Sequence, residues 1–131
     1  MQNEDQTGRM ILNFARVLLV HDDAFDLSPL YDALRKKFIL RVVTTTDAAV
    51  DLARATPFDC VVCVSGGGIQ ARYVHDRLVA EASGPAVRFV FLRAESSDDE
   101  DAVFFLTSGK TWLALPVVPD HLESAIRAIC K

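Results

Sequence analysis

Short runs of aliphatic and β-branched residues alternate along the chain with segments in which apolar positions recur every three to four residues. The runs predict five strands, at residues 17–20, 40–44, 60–64, 87–92 and 112–115. Each run is apolar throughout and is followed by a helical segment, a pattern typical of a parallel sheet covered on both faces. Five such units predict an α/β chain with a flavodoxin-like, doubly wound sheet.

The helical segments are predicted from the same periodicity and from their end signals. Apolar residues at helical spacing cover 27–38, 47–55, 69–79 and 119–129, and Gly84 with Pro85 is expected to end the third of these helices. Ser97 and Glu100 form a capping-box sequence in an acidic run, which predicts one more helix start. Residues 1–13 are expected to be a flexible N-terminal extension or linker, and 14–131 one domain.

Composition narrows the functional classes. The 131 residues carry a net charge of −4, so the chain lacks the general basic character that nucleic acids or anionic lipids attract. The polar start lacks the regions of a signal peptide, and no apolar run approaches the length of a membrane span. We therefore expect a cytoplasmic protein with neither nucleic-acid nor membrane partners.

The three cysteines do not form a disulfide framework, because their number is odd and their spacing is irregular. Cys60 and Cys63 form a CxxC inside an apolar run. Their odd offset points the two side chains to opposite faces of a strand, whereas a redox CxxC normally opens a helix. Packing in the core is the prediction for both.

Four segments at the predicted strand ends resemble the receiver domains of response regulators. They are RVLLVHDD, FDCVVCVSGGG, VRFVFLRAE and WLALP, and together the resemblance covers about residues 16–130. Within this family, the sequence is most similar in pattern to the divergent receivers attached to hybrid histidine kinases. The resemblance implies a (βα)5 receiver architecture with its site at the carboxyl edge of the sheet.

Matched position by position, the receiver chemistry is mostly absent. Val64 stands at the phosphoacceptor position, and no Asp or Glu occurs from Cys60 to His75, so a shift of register supplies no carboxylate. The acidic pair of the family corresponds to His21 and Asp22, with Asp23 beside them. Magnesium needs several hard oxygen ligands, and one or two carboxylates remain at these positions. We therefore expect no high-affinity magnesium site and no other cofactor. The resemblance thus implies a pseudo-receiver that is not an enzyme.

The remaining receiver positions are also changed. Leu115 replaces the lysine that pairs with the phosphoryl group, and Arg93 replaces the switch hydroxyl. The guanidinium of Arg93 is expected to reach Asp22 or Asp23 and to fill the space of metal and phosphate, the alternative being a solvent-facing arginine. Trp112 matches the switch aromatic, and a tryptophan that simply packs in the core or an interface is the alternative.

Two functions remain open. The first is a phosphorylation-independent receiver-like domain of a two-component or phosphorelay system, which binds another signalling protein such as a histidine kinase or an output domain, or forms a homodimer. Its expected surface is the fourth helix, fifth strand and fifth helix, near Trp112. The second is a sensor of a small anion or nucleotide, held by backbone N–H groups of a possible anion loop that comprises Ser65, Gly66, Gly67 and Gly68.

Overall fold

The computed structural model describes residues 14–83 and 87–130, and these form one five-stranded parallel sheet in the order β2-β1-β3-β4-β5. The strands are β1 Arg16–Val20, β2 Ile39–Val43, β3 Cys60–Ser65, β4 Phe89–Arg93 and β5 Thr111–Ala114. All four pairings are parallel, with β1 and β3 adjacent in the centre. This order is that of the flavodoxin-like sheets, so the predicted fold is confirmed.

Helices join the strands in the described part of the chain. They are α1 Ser28–Arg35, α2 Thr46–Ala55, α3 Ala71–Leu78, α4 Asp99–Thr107 and α5 Pro119–Ile129. A π-helical turn, Val79–Ser83, extends α3. None of these helices has the length and apolar character needed to cross a bilayer, as far as residues 14–83 and 87–130 are concerned.

The strands divide the apolar residues between two layers because successive side chains point to opposite faces. One layer lies between the sheet and α2, α3 and α4, and it includes Leu18, Cys63 and Phe91. The other lies between the sheet and α1 and α5, and it includes Leu19 and Cys60. The prediction that Cys60 and Cys63 pack on opposite faces of β3 is thus confirmed, and both are buried.

Several predicted boundaries are wrong by one to three residues. β3 continues through Ser65, and β5 ends at Ala114, so Leu115 follows the strand. The N-cap of α4 is Asp98, whose side chain accepts the Asp101 N–H at 2.8 Å. Ser97 does not cap this helix, because its hydroxyl is hydrogen-bonded to that of Ser65. The predicted extension 1–13 and the predicted helix end at residues 84–85 lie outside the described residues.

Candidate functional site

The carboxyl edge of the sheet brings together most of the residues singled out from the sequence. His21, Asp22 and Asp23 follow β1, Ser65 ends β3 and Arg93 ends β4. Parallel strands place their carboxyl ends at the same edge, which is where ligands bind in folds of this kind. The hydrogen bonds and ion pairs of these side chains determine whether this edge can bind a metal or an anion.

Asp22 binds the backbone with both of its carboxylate oxygens. Oδ1 accepts the N–H of Ala24 at 2.8 Å, and Oδ2 accepts the N–H of Gly68 at 2.7 Å. These two N–H groups, that of Ala24 more than that of Gly68, hold the pKa of Asp22 below its usual range because they stabilise the ionised form. Asp22 thereby ties the end of β1 to the loop after β3.

The N–H groups of the glycine loop, residues 66–68, all have acceptors within the protein. The Gly66 N–H donates to the carbonyl of Ile69 at 3.0 Å, and the Gly67 N–H donates to Ser96 Oγ at 2.9 Å. The third N–H, that of Gly68, binds Asp22 as described. An anion bound at the start of α3 would have to displace these three acceptors, so the loop is not a preformed anion-binding site.

The glycine loop lies so close to Asp22 that side chains are excluded. Gly67 has a φ of +60°, and a Cβ built there would lie 2.8 Å from both Cβ and Cγ of Asp22. A Cβ on Gly68 would lie 2.9 Å from Asp22 Oδ2. The loop therefore needs glycine for its conformation at Gly67 and for close approach at both positions. Its main chain covers the acid that would otherwise face a ligand.

The predicted phosphoacceptor position, Val64, is apolar in its surroundings as well as in its side chain. Val64 is completely buried and belongs to the layer under α1 and α5, together with Val62, Leu92 and Ala94. It offers no oxygen to a metal or a phosphoryl group. No carboxylate therefore occupies this position of β3.

A magnesium ion, which the receiver fold often implies, does not fit the residues at this edge. Asp22 has both oxygens engaged by N–H groups, Asp23 is exposed, and Val64 contributes no ligand. His21 is buried, with Nε2 hydrogen-bonded to the Tyr31 hydroxyl and Nδ1 2.7 Å from the Asp22 carbonyl oxygen. Across residues 14–83 and 87–130 there is no group of three or more His, Cys, Asp or Glu that could hold a metal.

The structure does not pair Arg93 with Asp22 or Asp23, and this sequence hypothesis is corrected. Arg93 is half-buried, and within the described residues its side chain forms no ion pair with either acid. The physical reason is local. Asp22 is held by the glycine loop, whereas Arg93 is paired in register with Ser65 on the neighbouring strand.

Trp112 is a packing residue rather than a freely exposed one. Its ring stacks on that of Phe105 in α4, with centroids 5.8 Å apart and planes inclined by 17°. It is half-buried against the layer under α2, α3 and α4. Leu115 packs against the opposite layer. Whether either residue has a switch role stays a prediction.

A buried carboxylate that sequence reasoning missed lies beside the expected site. Asp101 is 1% exposed and accepts the Ser65 hydroxyl at 2.5 Å and the Ala71 N–H at 2.7 Å. The Arg72 guanidinium and backbone N–H also donate to it, at 2.7 and 3.3 Å. The carboxylate from α4 thus satisfies the N-terminal N–H groups of α3. We call Ser65, Arg72 and Asp101 the Asp101 cluster.

Arg72 joins this cluster to the surface. Its guanidinium also pairs with Asp98 at 3.0 Å and with Glu100 at 2.7 Å. Hydrogen bonds to Asp98 and then to Asp101 raise the pKa of Arg72. One signal could have found this arrangement: Asp101 is four residues before Phe105, a large apolar residue, so the two share one helix face and Asp101 is expected to point inward with it.

Solved structures of receiver domains are similar to this fold. The receiver domain of a sensor histidine kinase from Pseudomonas aeruginosa, which holds magnesium in its active-site cleft, has a TM-score of 0.74 at 20% identity, over 89% of this chain and 98% of that one. A response regulator receiver protein from Sinorhizobium medicae has a TM-score of 0.72 at 17% identity, over 91% and 96% of the two chains. The chain therefore has the same fold as these receiver domains.

An adenylate cyclase from Rhodopirellula baltica is similar to the same degree, with a TM-score of 0.74 at 21% identity over 89% of this chain and 87% of that one. At this identity the likeness concerns the fold alone and brings no activity to the chain. No protein-family profile matches the sequence, and no curated protein matches it.

Proposed function

We propose that the chain is a receiver-like signalling domain of a cytoplasmic two-component or phosphorelay system that acts by binding another protein and without phosphorylation. The observation that carries the proposal is Val64. Transfer of a phosphoryl group needs a carboxylate nucleophile at the end of β3, and the buried side chain there is apolar. The receiver fold is retained around a position that has no phosphoacceptor.

The closed carboxyl edge supports the same proposal. Asp22 is bound to Gly68 and Ala24, and the glycine loop lies directly over it. Leu115 supplies no cation to pair with a phosphoryl group. A small anion or nucleotide sensor, the alternative, has weaker support, because the loop N–H groups that would bind the ligand already have acceptors in Asp22, Ser96 and Ile69.

The docking surface that we propose is the exposed face of α4. Two large apolar side chains of this helix face solvent: Val103 is 57% exposed and Leu106 is 75% exposed. Asp99 and Glu100 form an acidic rim at its N-terminal end and line a surface pocket with Val103 and Phe104. Exposed apolar residues with a charged rim are typical of a protein interface.

The charge of this face favours a partner of complementary charge. Arg72 pairs with both Asp98 and Glu100, and Asp99 beside them is exposed, so the N-terminal end of α4 keeps a net negative charge. We therefore propose a signalling protein with an apolar patch edged by Lys or Arg. The surface expected from the sequence comprises the fourth helix, fifth strand and fifth helix near Trp112. The surface proposed here keeps only α4, because Trp112 is half-buried and stacked on Phe105.

Phosphorylation is tested directly. The protein is incubated with acetyl phosphate and magnesium, and its intact mass is measured beside a receiver domain that has an intact aspartate. We expect no mass addition to this chain under conditions that modify the control. A base-labile phosphoryl group at any Asp or Glu would overturn the proposal.

Docking is tested by site-specific crosslinking in cells of the source organism. A photoreactive amino acid is placed at Leu106 or at Asp32, an exposed position on α1 at the other face of the sheet. We expect one heterologous signalling protein to be captured from position 106 and not from 32. Capture of a second copy would support a homodimer instead, and equal capture from both positions would contradict docking through α4.

A further inference from the structure

Two of the three cysteines meet at the amino edge of the sheet, opposite the edge described above. Cys60 begins β3, and Cys130 follows the last residue of α5. The Cys130 sulfur lies 3.8 Å from the carbonyl oxygen of Asp59, the residue before Cys60. Both cysteines pack in the same apolar layer, so the Cys130 sulfur lies beside the start of β3, where Cys60 is.

The surroundings of the two thiols differ strongly. Cys60 is completely buried, whereas Cys130 is partly exposed and lines a surface pocket of about 450 Å³. The other residues of this pocket include three cations and two aromatic rings: Lys36, Lys37, Arg127, Phe14 and Phe38. Reactive cysteines are typically partly exposed and near positive charge, because that environment favours the thiolate.

The two thiols differ in acidity as well as in exposure. The hydrogen bond from Cys60 lowers the pKa of Cys130 to about 7. The same hydrogen bond, followed by burial, raises the pKa of Cys60 far above its usual range. Cys130 is thus the nucleophile, and Cys60 keeps its proton beside it.

We infer that Cys130 and Cys60 form a redox site, in which a hydroperoxide oxidises Cys130 and Cys60 then closes an intramolecular disulfide. In the first step the Cys130 thiolate attacks one peroxide oxygen, the O–O bond breaks, and hydroxide leaves to give a sulfenic acid and, with hydrogen peroxide, water after protonation. In the second step the Cys60 sulfur attacks the Cys130 sulfur. The S–O bond breaks, the Cys60 proton goes to the departing hydroxide, and water leaves.

The two steps balance as two thiols and one hydrogen peroxide converted to one disulfide and two waters. The disulfide would connect the end of α5 to the start of β3. This site is remote from α4, so it stands or falls independently of the proposed docking function.

Cys63 provides an internal control. It is completely buried on the opposite face of β3, and burial raises its pKa. It has neither the exposure nor the thiol neighbour of Cys130. A measurement of total thiol loss would not show which cysteine has reacted, whereas peptide mapping identifies each one.

The experiment uses the 131-residue protein and its Cys63→Ala variant, each treated with hydrogen peroxide and mapped by mass spectrometry without reduction. We expect a disulfide between Cys60 and Cys130 in both proteins, with the loss of two hydrogens from the intact mass and full reversal by dithiothreitol. In Cys60→Ala the resolving thiol is missing, so dimedone should label Cys130 as sulfenic acid at least about fivefold more than in the unaltered protein.

Three outcomes would overturn the inference. They are a Cys130 that is not oxidised at peroxide concentrations that oxidise an exposed thiol, a disulfide from Cys130 to Cys63, and a disulfide between Cys130 residues of two copies. The first protein pair is decisive even if Cys60→Ala fails to fold, because it keeps both reacting thiols.

Discussion

Asp22 illustrates how a single acidic residue acts at the closed edge of the sheet. Its two oxygens accept backbone N–H groups from Ala24 and Gly68, and these contacts lower its pKa. A carboxyl group with a lower pKa in the folded than in the unfolded protein stabilises the fold in its ionised form. The residue therefore acts as a structural clasp for the glycine loop.

Asp22→Asn should lower the free energy of unfolding at pH 7, because the amide oxygen accepts hydrogen bonds more weakly than a carboxylate. The stabilisation by Asp22 is complete above its unfolded pKa and is lost as the pH falls through its lower folded pKa. The difference between the two proteins should therefore shrink below about pH 4. Urea unfolding at several pH values measures it.

Asp23→Asn is the matched control for this titration, since Asp23 is the exposed neighbour. Its unfolding free energy should stay near that of the unaltered protein at pH 7. A loss at Asp23 equal to that at Asp22, or a difference at Asp22 that does not depend on pH, would contradict the clasp.

Gly67→Ala should destabilise the protein more than Gly109→Ala. Both glycines have positive φ, at +60° and +70°, which costs an alanine about 1 kcal/mol. Only at Gly67 would the new Cβ also collide, 2.8 Å from Asp22, whereas nothing lies within 4 Å at Gly109. Thermal unfolding of the two variants measures the difference, and equal losses would show that the loop does not press on Asp22.

Helix α4 combines two tasks at the scale of an element. One face carries Asp101 and Phe105 into the protein, and the other leaves Val103 and Leu106 exposed. Asp101 crosses to the start of α3, where its negative charge meets the unsatisfied N–H groups of that helix. The Asp101 cluster therefore holds α4 in one position relative to β3 and α3.

Asp101→Asn should lower the free energy of unfolding by about 3 kcal/mol, because it removes the charge of a buried carboxylate that pairs with the partly exposed Arg72 and accepts hydrogen bonds from Ser65 and Ala71. Asp99→Asn is the control in the same helical turn, and at an exposed position it should change stability by less than about 0.5 kcal/mol. Urea denaturation of the pair tests this. Similar losses in both variants would contradict the role of the cluster.

Trp112→Ala should act mainly on stability, since the ring stacks on Phe105. We expect a loss of about 2 kcal/mol in unfolding free energy for this half-buried residue. Leu106→Asp should instead leave stability nearly unchanged and weaken binding of the partner captured at α4. If a folded Trp112→Ala protein binds this partner more weakly than Leu106→Asp does, Trp112 and not Leu106 is the main interface residue.

At the scale of the whole molecule, we expect a single conformation and not two conformations whose populations depend on phosphate. The reasons are the contacts of Asp22 with the glycine loop at the carboxyl edge and the contacts of the Asp101 cluster. A ligand shifts an equilibrium only if it binds the two states differently, and the residues present do not fit a magnesium ion. Binding at one hundred times Kd would stabilise the fold by about 2.7 kcal/mol.

We therefore expect millimolar magnesium, with or without inorganic phosphate, to leave the melting temperature unchanged. Differential scanning calorimetry of this protein and of a magnesium-binding receiver domain under the same conditions makes the comparison. A saturable rise for this protein would favour the sensor alternative, most directly if Gly67→Ala abolished it.

The amino-acid sequence by itself determined the layered α/β fold and the absence of a carboxylate from β3 and the loop after it. Apolar runs alternating with helical periodicity are local signals, so they survive errors of one or two residues at element ends. The lack of any Asp or Glu from Cys60 to His75 is equally independent of register.

Only the tertiary structure decided which side chains meet. From the sequence, Arg93 is expected to reach Asp22 or Asp23, whereas in the structure the N–H of Gly68 binds Asp22, and the buried Asp101 is not singled out in the acidic run. The approach of Cys130 to the Asp59 carbonyl, next to Cys60, joins residues 71 positions apart in the chain. Periodicity assigns a residue to a face, but its partner depends on loop conformation and on how elements pack, which no local pattern encodes.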